Sequence, residues 1–123
     1  MYTALVLDRE SQARLKDTFS HVVPFGWKWA GRHMTINLGG PNQGPARDLV
    51  GCKYDAIVRT FAIDGRACAV GVEAPLPSVN AIKHVTLAFN EAAGGRPKHS
   101  KEIATWDAVA KPFVVSGVVD VVA

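Results

Sequence analysis

Two stretches of the chain alternate apolar and polar residues, as a strand with one buried face does. Within Trp27–Leu38, the apolar Met34, Ile36 and Leu38 alternate with His33, Thr35 and Asn37. Within Ile82–Phe89, the apolar Val85 and Leu87 alternate with His84, Thr86 and Ala88. Successive side chains of a strand point to opposite faces, so both stretches predict strands with a buried apolar face and an accessible polar face.

The remaining pattern predicts one helix, four further strands and three loops. The helix begins at Asp8, in DRESQARLKDTF, and is expected to bury Ala13, Leu15 and Phe19. The further strands are Tyr2–Leu7, Lys53–Ile63, Arg66–Glu73 and Phe113–Val122, of which the middle two form a hairpin at Asp64 and Gly65. The loops are Gly39–Gly51, Pro75–Asn80 and Gly94–Ser100, each rich in turn-forming residues.

Length and composition indicate one soluble domain over residues 1–123, which we expect to be a monomer. Hydrophobic residues make up 48% of the 123 residues and charged residues 20%, as in ordinary globular proteins. No run approaches the roughly 20 apolar residues of a membrane span, and no basic leader precedes the first apolar run. We therefore expect a cytoplasmic protein without membrane contact, in which Cys52 and Cys68 stay reduced.

The net charge of +3 is compatible with a ligand that carries phosphate, because Lys and Arg attract anions, although many proteins without such a ligand are mildly basic. The basic residues are scattered along the chain and form no run of the kind that binds nucleic acid nonspecifically. A small nucleotide or an RNA end therefore fits this charge better than a long duplex.

The two alternating stretches carry the same tetrapeptide pattern of His, apolar, Thr, apolar. It is HMTI at His33 and HVTL at His84. Side chains two apart on a strand share a face, so each His stands beside its Thr. Cleavage of a phosphodiester needs a base, an acid and donors to the phosphate oxygens, which two imidazoles and two hydroxyls supply.

Other site types lack the residues that they need. No cluster of ligands has metal-site spacing, and the glycines near Gly39 lack the Lys and Ser/Thr of a P-loop. The carboxylates are dispersed, and neither Cys has a nucleophile's context. His21 and His99 lack the H-x-T pattern and are interpreted as structural or surface residues. We expect no metal and no cofactor.

The paired motif resembles that of the two-histidine (2H) phosphoesterase superfamily. The order YTALVLD, PFGWKWAGRHMTINLGG and IKHVTLAFNEAAGGRPKHS is similar to a compact bacterial and phage branch, which includes phage anti-CBASS enzymes that open cyclic oligonucleotides. The superfamily also includes RNA cyclic phosphodiesterases and phosphodiesterase domains of tRNA ligases. The resemblance implies an α+β fold with two antiparallel-sheet lobes that line a central cleft, and helices outside.

The resemblance also implies an activity and its residues. His33 and His84 would be the catalytic acid and base, in an order that depends on the ligand, and Thr35 and Thr86 would donate to phosphate oxygens. The expected reaction is metal-independent hydrolysis of a ribonucleotide cyclic phosphate or an RNA-derived phosphodiester. Two alternatives stay open: a phage-type hydrolase of cyclic oligonucleotide signals, and a noncatalytic nucleotide-binding module.

Four further residues are candidates for substrate binding. Tyr2 or Trp106 could stack on a nucleobase, although core packing is the alternative for every aromatic residue here, Trp27 and Trp29 included. Arg96 and Lys98, in the basic loop after the second motif, could meet phosphate, with a solvated loop as the alternative.

Overall fold

The structure is a computed structural model that describes all residues, 1–123, as one α-helix, seven strands and three short 3-10 helices. The strands are β1 (Tyr2–Leu7), β2 (Lys28–Trp29), β3 (His33–Leu38), β4 (Lys53–Ile63), β5 (Ala67–Glu73), β6 (His84–Phe89) and β7 (Asp107–Val122). The α-helix, α1, is Arg9–Phe19, and the 3-10 helices are Pro41–Gln43, Glu91–Ala93 and Pro97–Glu102. The predicted mixture of helix and antiparallel sheet is confirmed, with strands dominating.

The strands form one closed antiparallel sheet. Its order is β2-β6-β3-β1-β7-β4-β5, and a further pairing of β5 with β6 closes β6, β3, β1, β7, β4 and β5 into a six-stranded barrel. The two-lobed arrangement expected from the sequence is therefore not what the topology shows, because the strands of both halves pair directly. A barrel has no free edges between its strands, and this closure lets the sheet enclose the apolar core.

Helix α1 packs against β7, and its apolar buried residues join the hydrophobic core of the barrel. The Asp8 carboxylate caps it by accepting a hydrogen bond from the Ser11 N–H at 2.7 Å, as the predicted start requires. Its buried side is Ser11, Leu15 and Phe19, whereas the predicted core residue Ala13 is exposed. The Phe19 ring stacks on that of Phe61 with centroids 5.5 Å apart.

The first motif strand is interrupted where the sequence predicts a continuous extended run. β2 pairs with β6 through Lys28 and Trp29, and β3 rejoins β6 through Met34, which pairs with Val85. Gly31 lies between them with φ +37°, and a Cβ on it would meet the Trp29 indole at 2.7 Å. Glycine makes this turn possible, because side chains rarely tolerate positive φ.

A bulge in β3 changes the predicted face of its last residues. Thr3 of β1 pairs with Asn37 and the next residue, Ala4, pairs with Thr35, so Ile36 is one extra residue on β3. Asn37 is consequently 2% exposed and Leu38 is 75% exposed. The expectation that Leu38 enters the core and Asn37 the solvent is wrong, because strict alternation fails at a bulge.

The last strand starts earlier than predicted, at Asp107 instead of Phe113. Proline is normally excluded from central strands because it cannot donate a backbone hydrogen bond. Pro112 is tolerated because it lies where β7 and β4 lose their regular register.

Neither cysteine forms a disulfide. Cys52 is exposed and Cys68 is buried, and this burial raises the pKa of the Cys68 thiol to about 12. No helix here has the length and apolar character needed to cross a bilayer.

Candidate active site

Both H-x-T motifs line one cavity of about 750 Å³. β3 and β6 run antiparallel, with Met34 paired to Val85, the middle residue of each motif. Both middle side chains are buried, so the flanking His and Thr side chains share the opposite face, on which His84 is 8% exposed and the other three are partly exposed. The cavity lining accordingly includes all four motif residues, His33, Thr35, His84 and Thr86.

His84 is held in one tautomer by the backbone. Its Nδ1 donates to the carbonyl oxygen of Ile82 at 2.8 Å, because a carbonyl can only accept. The other nitrogen, Nε2, is then the one that can exchange a proton with a ligand. Burial lowers the pKa of His84 below its ordinary value, and the bond to Ile82 partly opposes this effect.

His33 is held by a tyrosine. The Tyr2 hydroxyl lies 2.8 Å from His33 Nε2, and the two rings are 5.0 Å apart between centroids. Burial lowers the pKa of His33, and the neighbouring Arg32 guanidinium lowers it further. Burial raises the pKa of Tyr2, so the phenol keeps its proton and can donate to a neutral imidazole or accept from a protonated one.

The two threonines differ in their surroundings. The Thr86 hydroxyl lies 2.8 Å from the Ser100 hydroxyl and donates to the Pro97 carbonyl oxygen at 3.2 Å. Ser100 is fully buried, so it supports Thr86 from behind. Thr35 is bonded through its backbone carbonyl, which accepts from Ser78 at 2.9 Å. Its side chain lines the cavity on the other motif strand.

Three cationic side chains join the motifs in the cavity lining. They are Arg32, Lys98 and Lys101, opposed by the single carboxylate of Glu102. Of these cations, only Lys98 is predicted from the sequence. Lys101 was missed because it lies beyond the predicted loop Gly94–Ser100, in the 3-10 helix Pro97–Glu102. Arg32 was missed because strict alternation places the residue before His33 on the opposite face of the strand.

The other predicted binding residues are distributed unevenly. Tyr2 and Lys98 line the cavity, whereas Trp106 and Arg96 do not. Trp106 instead packs beside the His84 ring at 5.9 Å between centroids and donates to the Ile103 carbonyl at 2.9 Å. Arg96 is exposed, and its backbone N–H donates to His99, which gives that histidine a structural contact.

A second, larger groove of about 1170 Å³ lies on the outer faces of β1, β4 and β7. Its polar lining includes Asp8, Lys53, Asp55 and Glu73, but no histidine. No group of three or more His, Cys, Asp or Glu side chains is placed to hold a metal ion. The two motif histidines therefore line the smaller cavity and not this larger groove.

Comparison with known proteins adds no family assignment. A scan against protein-family models found no match, and searches of curated proteins and of solved structures likewise found none.

Proposed function

We propose that this protein is a metal-independent phosphodiesterase of the two-histidine type, which cleaves a ribonucleotide cyclic phosphate or an RNA-derived phosphodiester. One observation carries the proposal: two H-x-T motifs meet on neighbouring antiparallel strands and line a single cavity. Antiparallel pairing relates the motifs by a local two-fold axis through the Met34 and Val85 pair. A phosphate on that axis would have an imidazole on either side.

This arrangement supplies both proton transfers of phosphodiester cleavage. One imidazole removes a proton from water or from a ribose 2′-hydroxyl as that oxygen forms its bond to phosphorus. The other imidazole gives a proton to the ribose oxygen as its bond to phosphorus breaks. The pair ends with its protons exchanged, and the roles follow from which oxygen lies beside which ring.

The bound phosphate helps to set these protonation states. Burial lowers the pKa of both histidines, so the free protein at neutral pH holds mainly two neutral rings. An anionic phosphate in the cavity favours the charged form of a nearby imidazole and so restores one acid. The bound substrate therefore favours protonation of the histidine that acts as its general acid.

The remaining polar groups stabilise charge on the phosphate. Thr35 can donate its hydroxyl proton directly, whereas Thr86 must turn its proton from the Pro97 carbonyl toward the ligand. Ser100 can keep donating to Thr86 as that proton turns. Lys98 and Lys101 add positive charge from the 3-10 helix that also contacts Thr86, which stabilises the nonbridging oxygens as they gain negative charge.

A second candidate is hydrolysis of cyclic oligonucleotides by the same two histidines. The cavity, at about 750 Å³, lies within the range of drug-sized ligand pockets, and its cations extend beyond the motif residues. Both features suit a ligand with more than one phosphate. The chemistry at the cleaved bond would be unchanged.

The test is a substrate panel with product identification. The protein is incubated, with and without EDTA, with 2′,3′-cyclic nucleotides, short RNAs and cyclic di- and trinucleotides, and products are identified by mass. We expect turnover of at least one phosphodiester and equal rates with EDTA. Tight binding without turnover of every compound would replace the proposal with a noncatalytic nucleotide-binding module, and EDTA inhibition would contradict the metal-independent mechanism.

A further inference from the structure

Two large apolar side chains are unusually exposed in the lining of the two-histidine cavity. Leu38 is 75% exposed and Val79 is 60% exposed, and both line the cavity with His33 and Thr35. Single exposed apolar residues are common, but these two share the lining of one polar cavity and form an apolar patch within it. The motif chemistry described above uses neither of them.

The exposure of Leu38 has a specific structural cause. If the alternation continued regularly through Ile36, Leu38 would face the core with Met34, and Asn37 would face the cavity. The bulge reverses both positions, so a polar side chain is buried while an apolar one is presented beside Thr35. Bulges next to active sites often redirect a side chain in this way, and such local violations of patterning are expected where function requires them.

Val79 reaches the same place from a different segment. Its backbone N–H donates to the carbonyl oxygen of Ile36, the bulge residue, at 2.8 Å. The preceding Ser78 hydroxyl donates to the Thr35 carbonyl at 2.9 Å. Two hydrogen bonds thus fix Val79 against the bulge of β3, next to Leu38.

We propose that Leu38 and Val79 form a nucleobase subsite beside the phosphate centre. This inference rests on the proposed function and adds the part of the substrate that the two motifs do not read. The cavity is divided, because the cations Lys98 and Lys101 lie on the 3-10 helix and Arg32 lies just before β3, whereas the two apolar residues lie at the bulge toward the other end of β3. A nucleotide is divided in the same way, into an anionic phosphate and a base whose flat faces are apolar.

The subsite differs from the aromatic surface expected from the sequence. Trp106 lies outside the cavity lining, and the Tyr2 hydroxyl is engaged by His33. Aliphatic side chains serve as well for holding a base, since bases extruded from a stack are read between aromatic or apolar side chains. The contact is with the face of the base, so purines and pyrimidines should both be accepted.

The experiment compares binding of a ligand that has a base with one that has none. Isothermal titration calorimetry would measure adenosine 3′-monophosphate, uridine 3′-monophosphate and inorganic phosphate against the full chain. The wild-type protein should bind the nucleotides about tenfold more tightly than phosphate, and the double variant Leu38→Ser/Val79→Ser should lose that preference while binding phosphate unchanged. Leu38→Met should retain the preference, because it keeps an apolar contact.

Ile63→Ser is the matched control, because Ile63 is 41% exposed at the end of β4 and does not line the cavity. A double variant that keeps the nucleotide preference would overturn the subsite, as would an equal loss in Ile63→Ser. Wild-type protein that binds phosphate but no nucleotide more tightly would also overturn it, with the phosphate centre intact. Absence of all binding and turnover would instead overturn the proposed function together with the subsite.

Discussion

At the scale of single residues, the two histidines are alike in sequence but anchored differently. A backbone carbonyl holds His84 at Nδ1, and a phenol holds His33 at Nε2. The first contact fixes a tautomer, whereas the second accommodates both protonation states. The site therefore combines one ring of defined orientation with one ring whose proton can be shared with Tyr2.

The pH dependence of catalysis should follow from the lowered pKa values. At pH 7 most free protein lacks a protonated histidine, so kcat/KM should rise as the pH falls, and fall again when both rings are protonated. We expect the maximum of kcat/KM below about pH 6.5, the ordinary pKa of histidine. Initial rates between about pH 4.5 and pH 8.5 would measure it, and a maximum above about pH 7.5 would contradict the pKa directions.

Tyr2→Phe tests the contact with His33. Removing the hydroxyl leaves the ring in place but releases Nε2, so kcat should fall about tenfold with little change in KM, as expected for loss of one positioning hydrogen bond. Steady-state kinetics would separate the two constants. The matched control is Tyr54→Phe, because Tyr54 lies outside this cavity. An unchanged kcat in Tyr2→Phe would show that the contact has no role.

The motif residues could be predicted from the sequence because their signal is local. Four residues of strand period specify which side chains share a face, and two copies specify a pair. Tyr2 was proposed as a base-stacking residue and is found bonded to His33, since a bond between residues 31 positions apart leaves no local pattern. Ser100 was missed as a partner of Thr86 for the same reason.

At the scale of elements, the irregular parts of the strands shape the site. The break at Gly31 lets β2 and β3 both follow β6, and the bulge at Ile36 presents Leu38. Neither irregularity could be predicted from periodicity. One extra residue turns every later side chain of the strand to the opposite face, and the alternation itself does not show where that residue lies. The hairpin at Asp64 and Gly65 was predicted correctly because turn chemistry at that site is local.

Gly71 on β5 occupies a position that has no room for a side chain. Gly71 pairs with His84, and a Cβ on it would clash with Thr60 Oγ1 and approach Trp106 at 3.4 Å. Gly71→Ala should therefore lower the free energy of unfolding by about 1–3 kcal/mol, as overpacking typically does. Urea denaturation would measure the change.

The double variant Thr60→Ala/Gly71→Ala provides the control, because it removes the atom that the new methyl group would meet. When Thr60 is already Ala, we expect Gly71→Ala to lower the free energy of unfolding by much less than it does in the wild-type protein. Equal losses with and without the Thr60 hydroxyl would show that this clash is not the cause.

At the scale of the whole molecule, closure of the barrel brings the two motifs together. The chain between them, from β3 to β6, passes through β4 and β5. In the closed sheet, β6 nevertheless pairs with β3 on one side and with β5 on the other. The sequence predicts most of these strands but not which ones pair, since pairing depends on long-range packing. The predicted pair of lobes and the observed closed sheet differ in strand pairing, but both bring the four motif side chains to one cavity.

The central claim is that His33 and His84 act on one phosphodiester, and turnover by the two single variants and the double variant to Ala tests it most directly. Each single variant should lose about 10²–10⁴-fold in kcat with its circular dichroism unchanged. The double variant should be little slower than the slower single variant, because groups that act as a unit are not additive. Full activity in either single variant, or losses that simply multiply, would contradict the account.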